Sequence, residues 1–297
     1  MQNQKLTLQT FVDLTRLEQT LFGLPFVLAG ALLPLALYPR SMCSFSSWLW
    51  LILAFIAARV SGMAFNQLID RHFDARNPRT QARPIPSGRA TAAQARWIAW
   101  GALTVFIFIC SQLNTVCLFL APLAALLIYV YSYLKRVHIV CHFVLGTIHL
   151  LGPVMAAAAI CNHLVGPALL LGLAALCSIS GHDIVYAIQD YRFDRTHQLH
   201  SLPARFGLKA SLNLSKLLHG MCVLFLLLLG FITPLNRIFF AAPLLASLLF
   251  LDFHQKVKPL VDDPELSLNI TPLFFRCNTA IAFISLLFVA LGVLCKG

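Results

Sequence analysis

The chain has 297 residues, of which 59% are hydrophobic and only 11% charged, with a mean hydropathy of +0.80 and a formal net charge of +11. An ordinary soluble domain carries about 25% charged residues, so this composition excludes one and predicts an all-α chain that crosses a membrane many times. The basic residues gather at the edges of apolar runs instead of along one soluble face, which argues against nucleic acid and for membrane lipids as surroundings.

The first 20 residues include Asp13, Arg16 and Glu18 and lack the apolar core of a secretory signal, so the first hydrophobic segment is expected to be a retained helix. A bilayer span needs about 20 apolar residues. Nine segments qualify, near Leu21–Tyr38, Trp48–Leu68, Arg96–Leu113, Val116–Leu134, Val140–Ile160, Val165–Gln189, Leu212–Thr233, Phe239–Phe253 and Thr271–Leu294. The eighth is short, and only Gln112 to Thr115 part the third from the fourth, which leaves eight or ten as alternatives. Under the nine-span reading, 18 Lys and Arg fall on one side, Lys5 among them, and only Arg40, Arg237 and Lys296 on the other, with Arg59 inside the second span. The positive-inside rule then predicts a cytoplasmic N-terminus. The long loops lie on the same charged side, so the working surface is expected there. The 9 cysteines sit mostly in apolar runs without a CxxC pair or zinc-ligand spacing and read as small buried hydrophobes.

The second span ends in Asn66 to Gly88, NQLIDRHFDARNPRTQARPIPSG. On one continuous helix Arg59, Asn66, Asp70 and Asp74, spaced by 7, 4 and 4, share a face. Asp183, Asp190 and Asp194 repeat the 7 and 4 spacing at the end of the sixth span. These five aspartates are drawn from only 11 acidic residues in the chain, a concentration that solvation does not explain. Hard oxygen ligands on helix faces suit Mg²⁺, which shares its shell with substrate phosphates. A diphosphate would still leave negative charge for Arg79, Arg83 and Lys135 to meet, although topology alone also places basic residues at such edges. Arg59, within an apolar segment, should face the bundle interior and either neutralise the acidic cluster or hold an anionic substrate group. Arg16 has a weaker case of the same kind. His138, His142, His149 and His182 show no repeated ligand spacing and read as structural or incidental.

DRHFD at Asp70–Asp74 recurs as DYRFD at Asp190–Asp194, 120 residues on, which fits a single domain over 1–297 with a pseudo-repeat around 59–88 and 183–207. A secondary transporter is the rival class. It would place its charges near the bilayer midplane, whereas these carboxylates gather at helix ends.

Taken together, these motifs resemble the UbiA superfamily of intramembrane aromatic prenyltransferases over nearly the whole chain. Asn66, Asp70 and Asp74 are similar to its NxxxDxxxD signature. Arg79-Thr80, Arg83-Pro84, Pro86, Ser87 and Gly88 are similar to its RTxxRPxPSG loop. Asp183, Tyr186, Ala187, Asp190 and Asp194 match DxxYAxxDxxxD, the run Ser201 to Gly207 matches SxPARFG, and Tyr131 to Arg136 resembles a third patch that supplies Lys135. His138 departs from the Thr of many relatives. The resemblance implies nine helices around a central cavity, and two Mg²⁺ ions linking the motifs to a polyprenyl diphosphate. It further implies diphosphate or acceptor contacts for Arg59, Arg79, Arg83, Lys135, Tyr186 and Arg16. Asp183, Asp190 and Lys135 are the implied catalytic groups, Asp183 either beside the allylic cation, in proton loss, or as a further ligand. Within the family the likeness is to bacterial 4-hydroxybenzoate polyprenyltransferases of the inner membrane, a subgroup in which some members prenylate a 1,4-dihydroxy-6-naphthoate-type acid for menaquinone instead.

Overall fold

A computed structural model describes residues 6–38, 45–262 and 270–295. Lys5, Arg40 and Lys296 of the charge count lie outside the described residues. Its helices are α1 (Leu8–Thr15), α2 (Thr20–Leu37), α3 (Phe45–Asp74), α4 (Ala92–Leu113), α5 (Thr115–Leu134), α6 (Cys141–Cys161), α7 (Gly166–Tyr186), α8 (Tyr191–Thr196), α9 (Leu202–Phe206), α10 (Leu208–Ile232), α11 (Ala241–Asp262) and α12 (Ile270–Leu294). Among the described residues there are 9 candidate spans and no strand. Large apolar side chains stand outward on them, with Trp97 80%, Phe119 83% and Phe231 75% exposed, as expected where the solvent is lipid.

At three boundaries the backbone shows local features that hydropathy does not register. Asn114 is fully extended, and its Oδ1 accepts the Cys117 N–H at 2.9 Å, so one residue both ends α4 and caps α5. The eighth span is not short: a 3₁₀ turn over Arg237–Phe240, started by Asn236, leads into α11, which continues through polar residues beyond Phe253. The sixth does not end as one regular helix. At Ala187 the backbone tightens into 3₁₀ geometry over Ala187–Asp190 before resuming as α8. Asp183, Asp190 and Asp194 therefore do not share a face by simple 3.6-residue periodicity, because a 3₁₀ turn advances each residue by more.

Backbone packing divides the chain into two units, Met1–Thr20 with Phe45–Tyr133, and Leu21–Ser44 with Leu134–Gly297. In the first, α3 packs along α4, and Phe65 meets Trp100 and Tyr129 edge-on at 5.1 and 5.2 Å. Short α1 lies on α3, with Leu14, Leu68 and Ala95 buried together.

In the second unit α7 is the central element, packed by α6, α10 and α12. Small residues allow the helices to approach closely, the usual device where lipid gives no hydrophobic incentive for association. A Cβ on Gly146 would stand 2.2 Å from Ser180 Oγ and 2.8 Å from the Leu176 carbonyl oxygen, so only glycine permits this α6–α7 spacing.

Candidate active site

Helix α3 carries Asn66, Asp70 and Asp74 to its C-terminal end as the sequence predicts. Asn66 Nδ2 donates to Asp70 Oδ2 at 3.0 Å, one helical turn on. Asp74, the last residue of the helix, is buried, and its Oδ2 accepts from an Arg83 guanidinium nitrogen at 2.8 Å. The chain after α3 folds tightly enough to return Arg83 to this point. Thr80 Oγ1 donates to the Asp74 carbonyl at 3.2 Å, Asn77 Oδ1 accepts the Arg79 N–H at 3.0 Å, and Ser87 Oγ donates to the Arg83 carbonyl at 2.7 Å. Gly88 closes the loop with φ +77°, a conformation that L side chains rarely adopt.

Gln67 went unnoticed in the sequence. It is fully buried, and its Nε2 donates to the carbonyls of Asp13 at 2.9 Å and Leu14 at 2.8 Å, satisfying the open end of α1. Arg89 completes the attachment by pairing with Asp13 while donating to the Ala82 carbonyl at 2.9 Å. The Arg89 guanidinium beside Asp13 holds that carboxyl below the usual aspartate range.

Arg59 lies two turns before Asn66. It donates to Gln19 Oε1 at 2.7 Å, a neutral partner, and its buried Nε has no hydrogen-bond partner among the described residues. Arg16 sits in a left-handed conformation (φ 48°) as the C-cap of α1, with its side chain 3.5 Å from Glu18.

In the second unit Asp190 and Asp194 are both buried, and Lys135 Nζ reaches Asp194 at 2.9 Å and Asp190 at 3.7 Å. The backbone fixes this approach: the His200 N–H donates to the Lys135 carbonyl at 2.7 Å, tying the turn after α5 to the chain after α8. Tyr186 packs its ring 4.7 Å from Phe274, and Thr271 Oγ1 donates to Gln189 at 2.7 Å, so α12 supports the 3₁₀ turn. Asp183 is bonded to His142 at 2.7 Å. His138, the departure from the family pattern, accepts the Val140 N–H at 3.3 Å, within its own turn.

The chain matches the model of the UbiA prenyltransferase family over residues 23–278, a stretch that contains both aspartate motifs. It belongs to that family. The 4-hydroxybenzoate octaprenyltransferase of Serratia proteamaculans (strain 568) is 30% identical over 248 residues, 84% of each chain. That of Francisella tularensis subsp. novicida is 30% identical over 206 residues, 69% of this chain and 72% of the relative. Among solved structures, the apo UbiA homolog from Aeropyrum pernix K1 superposes with a TM-score of 0.78 at 26% identity, covering 94% of this chain and 98% of its own. The Archaeoglobus fulgidus UbiA homolog bound to GPP and Mg²⁺ shares the fold, with a TM-score of 0.76 at 19% identity over 95% and 98% of the two chains.

This UbiA prenyltransferase therefore has its motif residues gathered in two groups. Asn66, Asp70, Asp74 and Arg83 form the first, and Asp190, Asp194 and Lys135 the second. The donor set fits Mg²⁺. Among the described residues no three His, Cys, Asp or Glu side chains converge as a closed metal cage. Mg²⁺ does not need one, since it keeps several waters and takes one or two carboxylates together with substrate phosphates. Asp194 is the clearest case: its carboxylate is fully buried, and Lys135 Nζ stands 2.9 Å from one of its oxygens.

Proposed function

We propose that this enzyme transfers a polyprenyl group from a polyprenyl diphosphate to a ring carbon of a 4-hydroxybenzoate-type aromatic acid, with Mg²⁺ as cofactor, in respiratory quinone biosynthesis. The observation that carries this reading is the pairing of a buried carboxylate with a cation in each motif: Asp74 with Arg83, and Asp194 with Lys135. The relatives named for 4-hydroxybenzoate octaprenyl transfer supply the substrate class.

Asn66, Asp70 and Asp74 in the first motif, and Asp190 and Asp194 in the second, would hold the metal. When bound, Mg²⁺ neutralises the charge that accumulates on the diphosphate as the allylic C–O bond breaks. Arg79 and Arg83 offer planar forks to phosphate oxygens, and Lys135 offers a point charge. These cations are pre-placed, so little reorganisation is needed as the leaving group gains charge. The ring carbon then takes up the allylic carbon, and Asp183 receives the proton that the ring loses. Arg59, with a buried donor still to be satisfied, binds the acceptor's carboxylate, where Arg16 adds charge. Tyr186 presents a ring to the aromatic acceptor. The apolar helices exclude water that would capture the cation.

The excess of basic residues on the motif side supports a multi-pass protein of the bacterial inner membrane with N-terminus and motif loops cytoplasmic. The test is an acceptor screen of the purified protein with Mg²⁺ and polyprenyl diphosphate, 4-hydroxybenzoate against 1,4-dihydroxy-6-naphthoate, products identified by mass. Prenylated hydroxybenzoate is expected. Exclusive prenylation of the naphthoate, or none of either, would overturn the assignment.

A further inference from the structure

We propose that His142 is a positioning residue for Asp183, locked in one tautomer by the loop that follows the second motif. His142 lies near the start of α6, 41 residues before Asp183 in sequence, and is only 3% exposed. Its Nδ1 stands 2.7 Å from Asp183 Oδ2, and its Nε2 is 3.3 Å from the Leu202 backbone nitrogen. A backbone N–H can only donate, so Nε2 carries the lone pair and the ring proton sits on Nδ1. Nδ1–H therefore donates to Asp183. An imidazolium would set one N–H against another at Leu202.

The surrounding packing holds this arrangement in place. Ser180 Oγ donates to the His142 carbonyl at 3.0 Å, binding α6 to α7 one turn before Asp183. Gly146, one turn after His142, lets the two helices approach at that level. Leu202 opens α9, whose N-cap Ser201 accepts from Ala204 N–H at 3.4 Å, so the donor to Nε2 is itself fixed by a capped helix. The imidazole thus connects α7 to the Ser201–Gly207 loop through Asp183. It occupies one carboxylate oxygen, while the Asp183 side chain remains 20% exposed and able to offer the other to the reacting system. A second partner that fixes the orientation of a reactive side chain is the common arrangement around metal and acid–base sites.

The inference rests on the proposed aromatic prenyl transfer and is tested in the same assay. His142→Asn keeps an N–H donor near the Nδ1 position. His142→Leu and His142→Met fill the space without one, and together guard against the loss of either through misfolding. Each variant is compared with wild type by thermal melting in detergent and by kcat and KM for both substrates. The leucine and methionine variants that fold are expected to lose about 10- to 100-fold in kcat, with KM for polyprenyl diphosphate within about twofold, and His142→Asn to recover most of the loss. Wild-type kcat in a folded leucine or methionine variant would overturn the proposal, as would an asparagine variant that folds and is as slow as leucine. An inactive wild type would instead overturn the function on which it rests.

Discussion

Asp74 finds its cation nine residues further along its own loop, in Arg83, whereas Asp194 finds its cation in Lys135, at a turn 59 residues earlier in the chain. The first motif sits at the end of one unbroken helix, so its ligand spacing is a direct consequence of 3.6-residue periodicity. The second crosses a 3₁₀ turn and relies on contacts from α6, α9, α12 and the turn after α5. A site held by local sequence tolerates changes elsewhere in the fold. One assembled from distant elements inherits every weakness of the helix packing beneath it.

The largest effects should strike both regions equally. Asp70→Ala and Asp190→Ala each remove a proposed metal ligand and are expected to lower kcat about a thousandfold or more, measured as prenylated product against time. A variant retaining a tenth of wild-type turnover would remove its aspartate from the metal set. The cations should then separate the regions. Lys135→Ala, which leaves two buried carboxylates facing each other, should cost about 100-fold in kcat/KM for polyprenyl diphosphate, and Arg83→Ala about 10-fold. Equal losses would mean that the two regions are electrostatically equivalent.

Stability should show the dependence on packing. Gly146→Ala inserts a methyl where Ser180 and Leu176 already stand, so α6 must shift from α7 at a cost of about 1–3 kcal/mol. It should also weaken activity through Asp183. In the first unit Gln67→Leu leaves the carbonyls of Asp13 and Leu14 without their donor, also worth about 1–3 kcal/mol in melting experiments, with less loss of turnover. Asp13→Asn should have the smallest effect, under about 1 kcal/mol, because the pair with Arg89 is exposed. Its sign is fixed by the lowered pKa of Asp13. The stabilisation is present above the ordinary aspartate pKa, near 4, and is lost as pH falls through the lower folded value. Wild type and variant should thus melt apart at pH 7 and converge at low pH; a gap that widens on acidification would contradict the pairing.

The first region was legible because its geometry is local. Asn66, Asp70 and Asp74 could be placed on one face from spacing alone, and Arg83 by its loop. The nine spans were equally legible, since apolar length is a property of contiguous residues. Hydropathy located the break between the third and fourth spans but does not register caps or 3₁₀ turns, so the extension of α11 past Phe253 and the tightening at Ala187 were hidden. Gln67 and His142 escaped for another reason. Each owes its role to partners more than 40 residues away in sequence, and neither stands in a repeated spacing. Arg59, expected to face the bundle interior, has as its partner the amide of Gln19 and not a carboxylate of the adjacent motif.

The central claim is that the two aspartate motifs carry out metal-dependent prenyl transfer. The most direct test is the rate of prenylated 4-hydroxybenzoate formation by purified enzyme in Mg²⁺, after EDTA, and after Mg²⁺ is restored. The proposed mechanism predicts full turnover, none, and full recovery in that order. Turnover that persists in EDTA would contradict the account.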